Sequence, residues 1–174
     1  KPPSSAYATQ SPILHYVIEK KDALFVGGSF WDGRATGEKL GNPAADQAQG
    51  PFLNPLEQAL SMASDVVQRV CAGSYGNLFR AVWGAQACAS ANVYAAYDSI
   101  ALSIAAYEAS AESNAFTSKY DYSFRGKAKL SKQERRGHAL FMGKGKCQAC
   151  HTGNGQRALF TDYTYDNLGL PRNP

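Results

Sequence analysis

Apolar residues recur every three to four positions in three segments of the middle of the chain, and this period predicts α-helices. The predicted helices cover about residues 55–72, 75–83 and 92–111. The predicted buried face of the first is formed by Leu56, Leu60, Ala63, Val66, Val67 and Val70. That of the third is formed by Tyr97, Ile100, Ala101, Ile104 and Ala105. Together they offer enough apolar surface for a helical core.

A fourth helix is predicted from its first residues. Glu134 follows Ser131 at the spacing of a capping box, in which each side chain accepts from the other's main-chain amide. This helix carries Leu140 and Phe141 and ends near residues 143–145. Residues 1–56 are rich in glycine, proline and asparagine turn signals, and we expect a structured loop region wrapped around a flat cofactor. With few strand signals and no repeat, the predicted fold class is mainly α with long loops.

Length and composition are those of an ordinary globular protein. The chain has 174 residues, of which 44% are hydrophobic and 18% charged, enough for one core or two small lobes. The longest weakly polar stretch, residues 94–111, is interrupted by charged side chains, so no membrane span is expected. No aromatic residues alternate with basic ones in a binding motif, which argues against a nucleic-acid partner.

The segment 147–151 reads Cys-Gln-Ala-Cys-His, the attachment sequence of a c-type haem. Thioether bonds from Cys147 and Cys150 to one edge of the porphyrin bring His151 under the iron as an axial ligand. A bare Cys-x-x-Cys pair also suits half a zinc site or a redox dithiol. The chain has no second pair of this spacing, and the histidine that follows directly favours haem.

The other cysteines and the second axial ligand leave alternatives open. Cys71 and Cys88 either close a disulfide or remain two thiols, and an oxidising compartment favours the disulfide. The side chains with suitable chemistry for the sixth iron ligand are Met62, Met142, His15 and His138. His15 is the most interesting because it lies in the loop-rich region, although a structural role is favoured there.

Basic residues concentrate around this motif. Nine of the 18 lysines and arginines lie in residues 119–146, opposed only by Asp121 and Glu134. Two interpretations fit: a basic collar that attracts an acidic redox partner or offsets haem propionates, or a solvated helix face that keeps the protein soluble.

Four stretches in chain order resemble the bacterial di-haem cytochrome c peroxidase and MauG family. They are residues 30–35 (FWDGRA), 47–57 (QAQGPFLNPLE), 143–146 leading into the haem motif, and 159–171. The resemblance covers nearly the whole chain. It implies two cytochrome c-like domains of the di-haem peroxidase type, each with a haem, of which the N-terminal one reacts with peroxide and the other relays electrons.

The resemblance also implies roles for individual residues. Trp31 would lie between the haems as a stepping stone, with Phe30 beside it, and Gln47, Pro51 and Glu57 would line the distal pocket of the peroxide-reactive haem. The catalytic residues expected are Glu57, Gln47 and Trp31, and the cofactor-binding residues are Cys147, Cys150, His151, Phe30, Pro51 and Phe141.

These assignments have plainer alternatives. A carboxylate over the iron can take a proton from one peroxide oxygen and return it to the other, and Gln47 can orient the peroxide. Glu57 is also where an acid would favour the start of the predicted helix. Trp31, taken alone, reads as a core aromatic residue.

The chain departs from the family pattern in having one haem motif rather than two. Residues 36–46 read as an insertion, and the chain looks truncated at both ends. We therefore expect residues 1–125 to be most of the N-terminal domain without its haem motif, and 126–174 to begin the second domain. The second haem would belong to a missing segment or another chain, and a calcium ion between domains, seen in relatives, has no clear ligand set here.

The expected function is reduction of hydrogen peroxide to water by a bacterial, periplasmic or otherwise extracytoplasmic oxidoreductase. The electrons would come from a small donor protein of the cytochrome c or cupredoxin type. Two rivals are an electron-transfer cytochrome without turnover, and a MauG-like oxidase that withdraws electrons from a partner protein through Trp31.

Overall fold

The computed structural model describes residues 3–19, 22–166 and 169. Within them lie one two-stranded antiparallel sheet, β1 (His15–Glu19) and β2 (Asp22–Val26), and seven α-helices. The helices are α1 (Pro43–Ala48), α2 (Gly50–Leu53), α3 (Ala63–Ala72), α4 (Gly76–Trp83), α5 (Val93–Glu108), α6 (Lys119–Phe124) and α7 (Lys132–Met142). The mainly α prediction is confirmed, whereas its cytochrome c-like detail stays a prediction. Part of the family-like stretch 159–171, namely 167, 168, 170 and 171, lies outside the described residues.

The chain forms two compact units. Unit 1 comprises residues 1–14 and 27–113, and unit 2 comprises residues 15–26 and 114–174. Unit 2 therefore contains the β-hairpin as well as the haem motif. The predicted domains, 1–125 and 126–174, concern the cytochrome c-like domains of the family and stay a prediction.

The core of unit 1 lies between α3, α4 and α5. Its buried side chains are Ala63, Val66, Val67, Phe79, Ala96, Tyr97 and Ile100. A second, smaller cluster joins Ala44 and Ala45 of α1 to Ala105 of α5. Alanines at this contact let the two helix backbones approach closely. The predicted faces of α3 and α5 are confirmed in the positions that are buried, and a disulfide joins Cys71 to Cys88.

The helix predicted for residues 55–72 is wrong in its first half, because α3 begins only at Ala63. Residues 54–59 instead form a turn around Asn54. Its side-chain oxygen accepts from Leu56 N at 3.0 Å, and its carbonyl accepts from Glu57 N at 3.0 Å. Ala59 has a left-handed φ of 52°, and Leu56 is 92% exposed. The local hydrogen bonds of the Asn54-Pro55 turn thus stabilise it more than the apolar period stabilises a helix here.

The prediction of a loop region without regular elements over residues 1–56 is also wrong. It contains α1, α2 and the hairpin, in which Tyr16 pairs with Phe25 and Ile18 with Ala23. The strands contain aromatic and β-branched residues, which favour extended backbone. The sequence between them, Lys20-Lys21, has none of the glycine or asparagine signals of a tight hairpin turn.

One carboxylate organises the turn before α1. Asp46 accepts from the main-chain N–H groups of Gly37 at 2.8 Å, Leu40 at 3.0 Å and Lys39 at 3.4 Å. At the same helix, Asn42 is the N-cap and accepts from Ala44 N at 2.8 Å. The start of α1 is therefore stabilised both by its N-cap and by the hydrogen bonds of Asp46 to the preceding turn.

The capping box predicted at Ser131 is confirmed, with Glu134 N donating to Ser131 Oγ at 3.2 Å.

Candidate functional site

The haem motif begins with the short 3-10 turn Cys147–Ala149 that follows α7. Cys147 and Cys150 are exposed and not disulfide-bonded, and His151 N donates to Cys147 O at 2.9 Å. Lys146 has a left-handed φ of 56°. A Cβ on Gly145 would come within 2.8 Å of Leu140 O, so only glycine fits this close approach. The turn presents both thiols and the histidine on one short piece of backbone.

The ring of His151 is oriented by the main chain of Phe160. His151 Nδ1 lies 3.0 Å from Phe160 O, a pairing in which the ring nitrogen donates its proton to the carbonyl. That tautomer leaves Nε2 with its lone pair for a metal. A second link ties the segments together, since Thr152 Oγ1 donates to Thr161 O at 2.9 Å. Orientation of an axial histidine through its second nitrogen is a usual feature of metal sites.

Phe160 is in turn fixed by aromatic neighbours. Its ring centroid lies 5.1 Å from that of Tyr120 and 5.7 Å from that of Phe141. A Cβ on Gly153 would meet the Phe160 ring at 2.9 Å, so the glycine allows the ring to pack against the motif. The predicted haem residue Phe141 is thus half-buried in this aromatic cluster. It contacts the ring of Phe160, the residue whose carbonyl orients His151.

Asp162 adds a negative charge near the motif. Burial alone would raise the pKa of Asp162, but the carboxylate accepts from Thr164 N at 2.9 Å and Thr164 Oγ1 at 2.8 Å. These hydrogen bonds hold the pKa of Asp162 below its ordinary value. The carboxylate therefore stays ionised at neutral pH.

The residues of the motif fit a c-type haem. Two free thiols and an adjacent histidine, whose hydrogen bond at Nδ1 leaves Nε2 available, are the donors that such a haem needs. Among the described residues no cluster of three or more histidine, cysteine or acidic side chains could hold a separate metal ion.

In unit 1, the segment predicted to form the distal pocket is held at Gln49. Its carbonyl accepts from Tyr97 Oη at 2.5 Å, and its side-chain amide donates to Asp98 Oδ1 at 2.6 Å. Lys39 Nζ donates to both Gln49 Oε1, at 2.8 Å, and Asp98 Oδ1, at 2.7 Å. Burial raises the pKa of Tyr97, which keeps its hydroxyl protonated as a donor. Gln49 is thus anchored through three of its atoms immediately before Gly50 and Pro51.

The predicted pocket residues are distributed along this anchored segment. Gln47 lies in α1 and Pro51 in α2, and both are half-buried. Glu57 is exposed, and Asn54 Nδ2 donates to its Oε1 at 2.8 Å. Gln47, Pro51 and Glu57 thus lie on one stretch whose backbone is held by hydrogen bonds at Gln49 and Asn54.

Trp31 is presented by a tight turn. Ser29 N donates to Ala35 O at 2.9 Å, and Phe30 has a left-handed φ of 67°. The Arg34 guanidinium lies 3.7 Å from the centroid of the Phe30 ring. Trp31 itself is 70% exposed within this chain, so it is not part of the core that the described residues form.

The four candidate sixth ligands have different surroundings. Met62 is 57% exposed just before α3, and the side chain of His15 is exposed on β1. Met142 is half-buried at the end of α7. His138 packs on Tyr120 with 5.6 Å between ring centroids, and its buried Nε2 has no hydrogen-bond partner among the described residues. None of these observations selects an iron ligand.

Sequence reasoning missed two residues at these sites. Phe160 acts through its main-chain carbonyl, which no side-chain pattern reveals. Asn54 could have been found, because asparagine before proline is a typical start of a turn whose side chain bonds the following backbone.

None of the helices in the described part of the chain combines the length and the apolar composition needed to cross a bilayer.

Comparisons with known proteins agree with this geometry. The family model described as di-haem cytochrome c peroxidase matches residues 3–129. The methylamine utilization protein MauG of Paracoccus denitrificans is 35% identical over 98% of this chain and 42% of its own length. The cytochrome c551 peroxidase of Pseudomonas aeruginosa is 33% identical over 76% of this chain and 34% of its own length.

Among solved structures, the diheme peroxidase BthA from Burkholderia thailandensis superposes with a TM-score of 0.81 at 29% identity, over 98% of this chain and 40% of that one. The chain thus spans about two fifths or less of the length of these relatives. The match of the family model to most of the chain, with the relatives and the fold, leads to one conclusion: the chain belongs to the di-haem cytochrome c peroxidase family.

Proposed function

We propose that the protein of which this chain forms part reduces hydrogen peroxide to water with electrons from a small redox protein. The observation that carries the proposal is the Glu57 carboxylate, exposed and held at 2.8 Å by Asn54 at the end of the anchored segment 47–57. Family membership supports the same reaction. The reduction consumes two electrons and two protons for each peroxide and releases two waters.

The chain would bind one haem c through thioether bonds from Cys147 and Cys150, with His151 Nε2 as axial ligand. Haem groups supply the iron coordination and the stepwise electron transfer that the reduction requires. The hydrogen bond from His151 Nδ1 to Phe160 O makes the imidazole a more basic ligand and fixes its plane. This haem would be the entry point for electrons.

Glu57 would move the proton in the reaction. Cleavage of the O–O bond requires removal of a proton from one oxygen and its delivery to the other, which leaves as water. A carboxylate can perform both steps because it accepts the proton as the anion and donates it as the acid. Gln47 would orient the peroxide by a hydrogen bond from its amide, and Pro51 would border the same pocket without adding a competing donor.

Trp31 would contribute to electron transfer, and Phe30 beside it would contact the cofactor. The turn at residues 29–35 exposes the indole of Trp31, and the Arg34 guanidinium covers the ring of Phe30. An aromatic ring with accessible redox chemistry can serve as a stepping stone between two haems.

The remaining expectations belong to the longer protein. They are a second haem on another segment or chain, a donor of the cytochrome c or cupredoxin type, a calcium ion between domains, and a periplasmic or other extracytoplasmic location. The exposed lysines and arginines of residues 119–146 would attract an electron-donor protein whose docking surface is acidic.

The test uses the full-length protein with its haems attached. Glu57→Gln keeps the shape of the side chain and its capacity for hydrogen bonding but removes the carboxylate, and kcat/KM for peroxide falls by about 100-fold or more. The matched control is Glu112→Gln, another exposed glutamate of unit 1, which leaves turnover unchanged. Intact mass and a pyridine haemochrome spectrum give the number of covalent haems. Unchanged turnover in Glu57→Gln would exclude the role of this carboxylate.

A second candidate function is the oxidation of a partner protein. The similarity to MauG and the 70% exposure of Trp31 favour it. This activity requires a stable complex with the partner, and peroxide would then oxidise partner residues even without a small donor protein. Steady-state oxidation of a reduced cytochrome c by peroxide would favour the peroxidase. Absence of both reactions in the fully loaded protein would leave electron transfer as its role.

A further inference from the structure

Asn54 uses both ends of its side-chain amide. Its Oδ1 accepts from Leu56 N at 3.0 Å, and its Nδ2 donates to Glu57 Oε1 at 2.8 Å. A flipped amide would turn its NH2 group toward another N–H and its oxygen toward a carboxylate oxygen, so both contacts would become repulsive. The two neighbours therefore agree on a single orientation of the amide.

The backbone of Asn54 is fixed as firmly as its side chain. Asn54 N donates to Gly50 O at 3.2 Å, and its carbonyl accepts from the N–H groups of Glu57 and Ala59, each at 3.0 Å. Pro51 O, three residues earlier, accepts from Gln58 N at 3.1 Å. The donor that points at Glu57 is consequently part of a rigid turn rather than of a mobile side chain.

Glu57, in contrast, is exposed and would be free to populate several rotamers without this bond. Glutamate loses more side-chain entropy on ordering than most residues. A general acid–base must hold its proton-carrying oxygen close to its target, and small displacements cost rate. A hydrogen bond from a fixed donor to one oxygen orients the whole carboxylate and leaves the other oxygen for the substrate.

We propose that Asn54 is a positioning residue for Glu57: it donates to Oε1 and so directs Oε2 to take up and release the peroxide proton. The inference rests on the proposed role of Glu57. It goes further by assigning the two carboxylate oxygens different tasks. The competing explanation is that Asn54 only stabilises the turn at residues 54–59 through its bond to Leu56 N.

Asn54→Asp separates the two explanations in the full-length protein with its haems. Aspartate keeps an oxygen to accept from Leu56 N but replaces the donor to Glu57 with a second carboxylate oxygen. We expect kcat for peroxide to fall by at least about tenfold, because the hydrogen bond is lost and the two carboxylates repel each other, with KM changed much less. Asn92→Asp is the matched control, since Asn92 is exposed in the same unit and donates to Gln86 O instead.

Two further measurements distinguish positioning from turn stability. The double variant with Glu57→Gln should be no slower than Glu57→Gln alone, because Asn54 acts only through that carboxylate. Infrared difference spectra of each background with and without Glu57→Gln isolate the Glu57 carboxylate band. This band should shift between the wild-type and Asn54→Asp backgrounds.

Each result has a separate meaning. If Glu57→Gln turns over like the wild type, the proposed function of Glu57 fails before Asn54 is considered. If Glu57→Gln is slow but Asn54→Asp is normal with an unshifted band, the positioning role is wrong. Multiplying losses in the double variant would also overturn it, since Asn54 would then act independently of Glu57.

Discussion

Replacing Tyr97 with phenylalanine would remove one hydroxyl from the anchor of the distal segment. Tyr97 is 6% exposed, and its Oη donates to Gln49 O at 2.5 Å. The phenylalanine ring fills the same space and keeps the edge-on contact with Phe52, whose centroid lies 6.1 Å away. The change therefore isolates a single hydrogen bond with little change in packing.

The expected cost follows from the contacts of the carbonyl. A typical hydrogen bond contributes about 0.5–1.5 kcal/mol net, and an acceptor left without its donor costs about 1–3 kcal/mol. Gln49 is half-buried, so water can replace part of the loss. We therefore expect the free energy of local opening of residues 43–58 to fall by about 1–2 kcal/mol. The open form of this segment would then be about 5- to 30-fold more populated.

Hydrogen–deuterium exchange on the full-length protein measures this locally. Peptides covering α1 and α2 should exchange about 5- to 30-fold faster in Tyr97→Phe when exchange is limited by the opening equilibrium. Peptides from α7, in unit 2, should exchange as in the wild type. A global unfolding temperature would be less informative, since a protein with several domains need not unfold in one step.

The control is Tyr94→Phe on the same helix, where the side chain is 80% exposed. It loses the same hydroxyl without the contact to Gln49 and should leave exchange unchanged. Equal exchange in Tyr97→Phe and the wild type would mean that Tyr97 does not hold the segment. Faster exchange in both variants would point to a general effect of the hydroxyl on α5.

Three further predictions concern other parts of the chain. Hydrogen bonds from Lys119, then from Ser131, lower the pKa of Glu134 to about 2. The stabilising contribution of the ionised Glu134 is therefore present above pH 4.5 and lost as the pH falls toward 2. Lys119→Met should raise the pKa of Glu134, as measured by NMR titration of its carboxyl group. Replacing both Cys71 and Cys88 by alanine should cost about 3 kcal/mol through the freed loop, measured by urea unfolding of unit 1 signals, and no loss would mean that the disulfide constrains little. Ala45→Leu, at a residue with 0% exposure, should cost about 1–3 kcal/mol by overpacking α1 against α5, whereas Glu38→Leu on the exposed turn should cost little.

Elements with a local signal were predicted well. The stripe of α5 and the capping box of α7 each depend on residues a few positions apart, and both are confirmed. The start of α3 was placed too early because Leu56 and Leu60 continue the apolar period into a turn. That turn is decided by the hydrogen bonds of Asn54, which periodicity does not record.

The candidate sites divide in the same way. The haem motif could be recognised from its spacing alone, since the chemistry of attachment acts on neighbouring residues. The carbonyl of Phe160 and the anchor of Gln49 depend on partners nine and 48 residues away in the chain. Such pairings arise from tertiary packing, and a single sequence carries no mark of them.

The carboxylate of Asp46 has a consequence for how this region can vary. It binds the turn at residues 37–40 only through main-chain N–H groups, so the identity of the side chains at Glu38 and Lys39 does not matter to these bonds. The shape of the turn thus depends on Asp46, which lies outside it, and on Gly37, whose φ of 83° and closeness to Pro43 leave no room for a Cβ. A library randomised at position 38 should yield mostly folded proteins, whereas one randomised at position 46 should retain few residues other than aspartate.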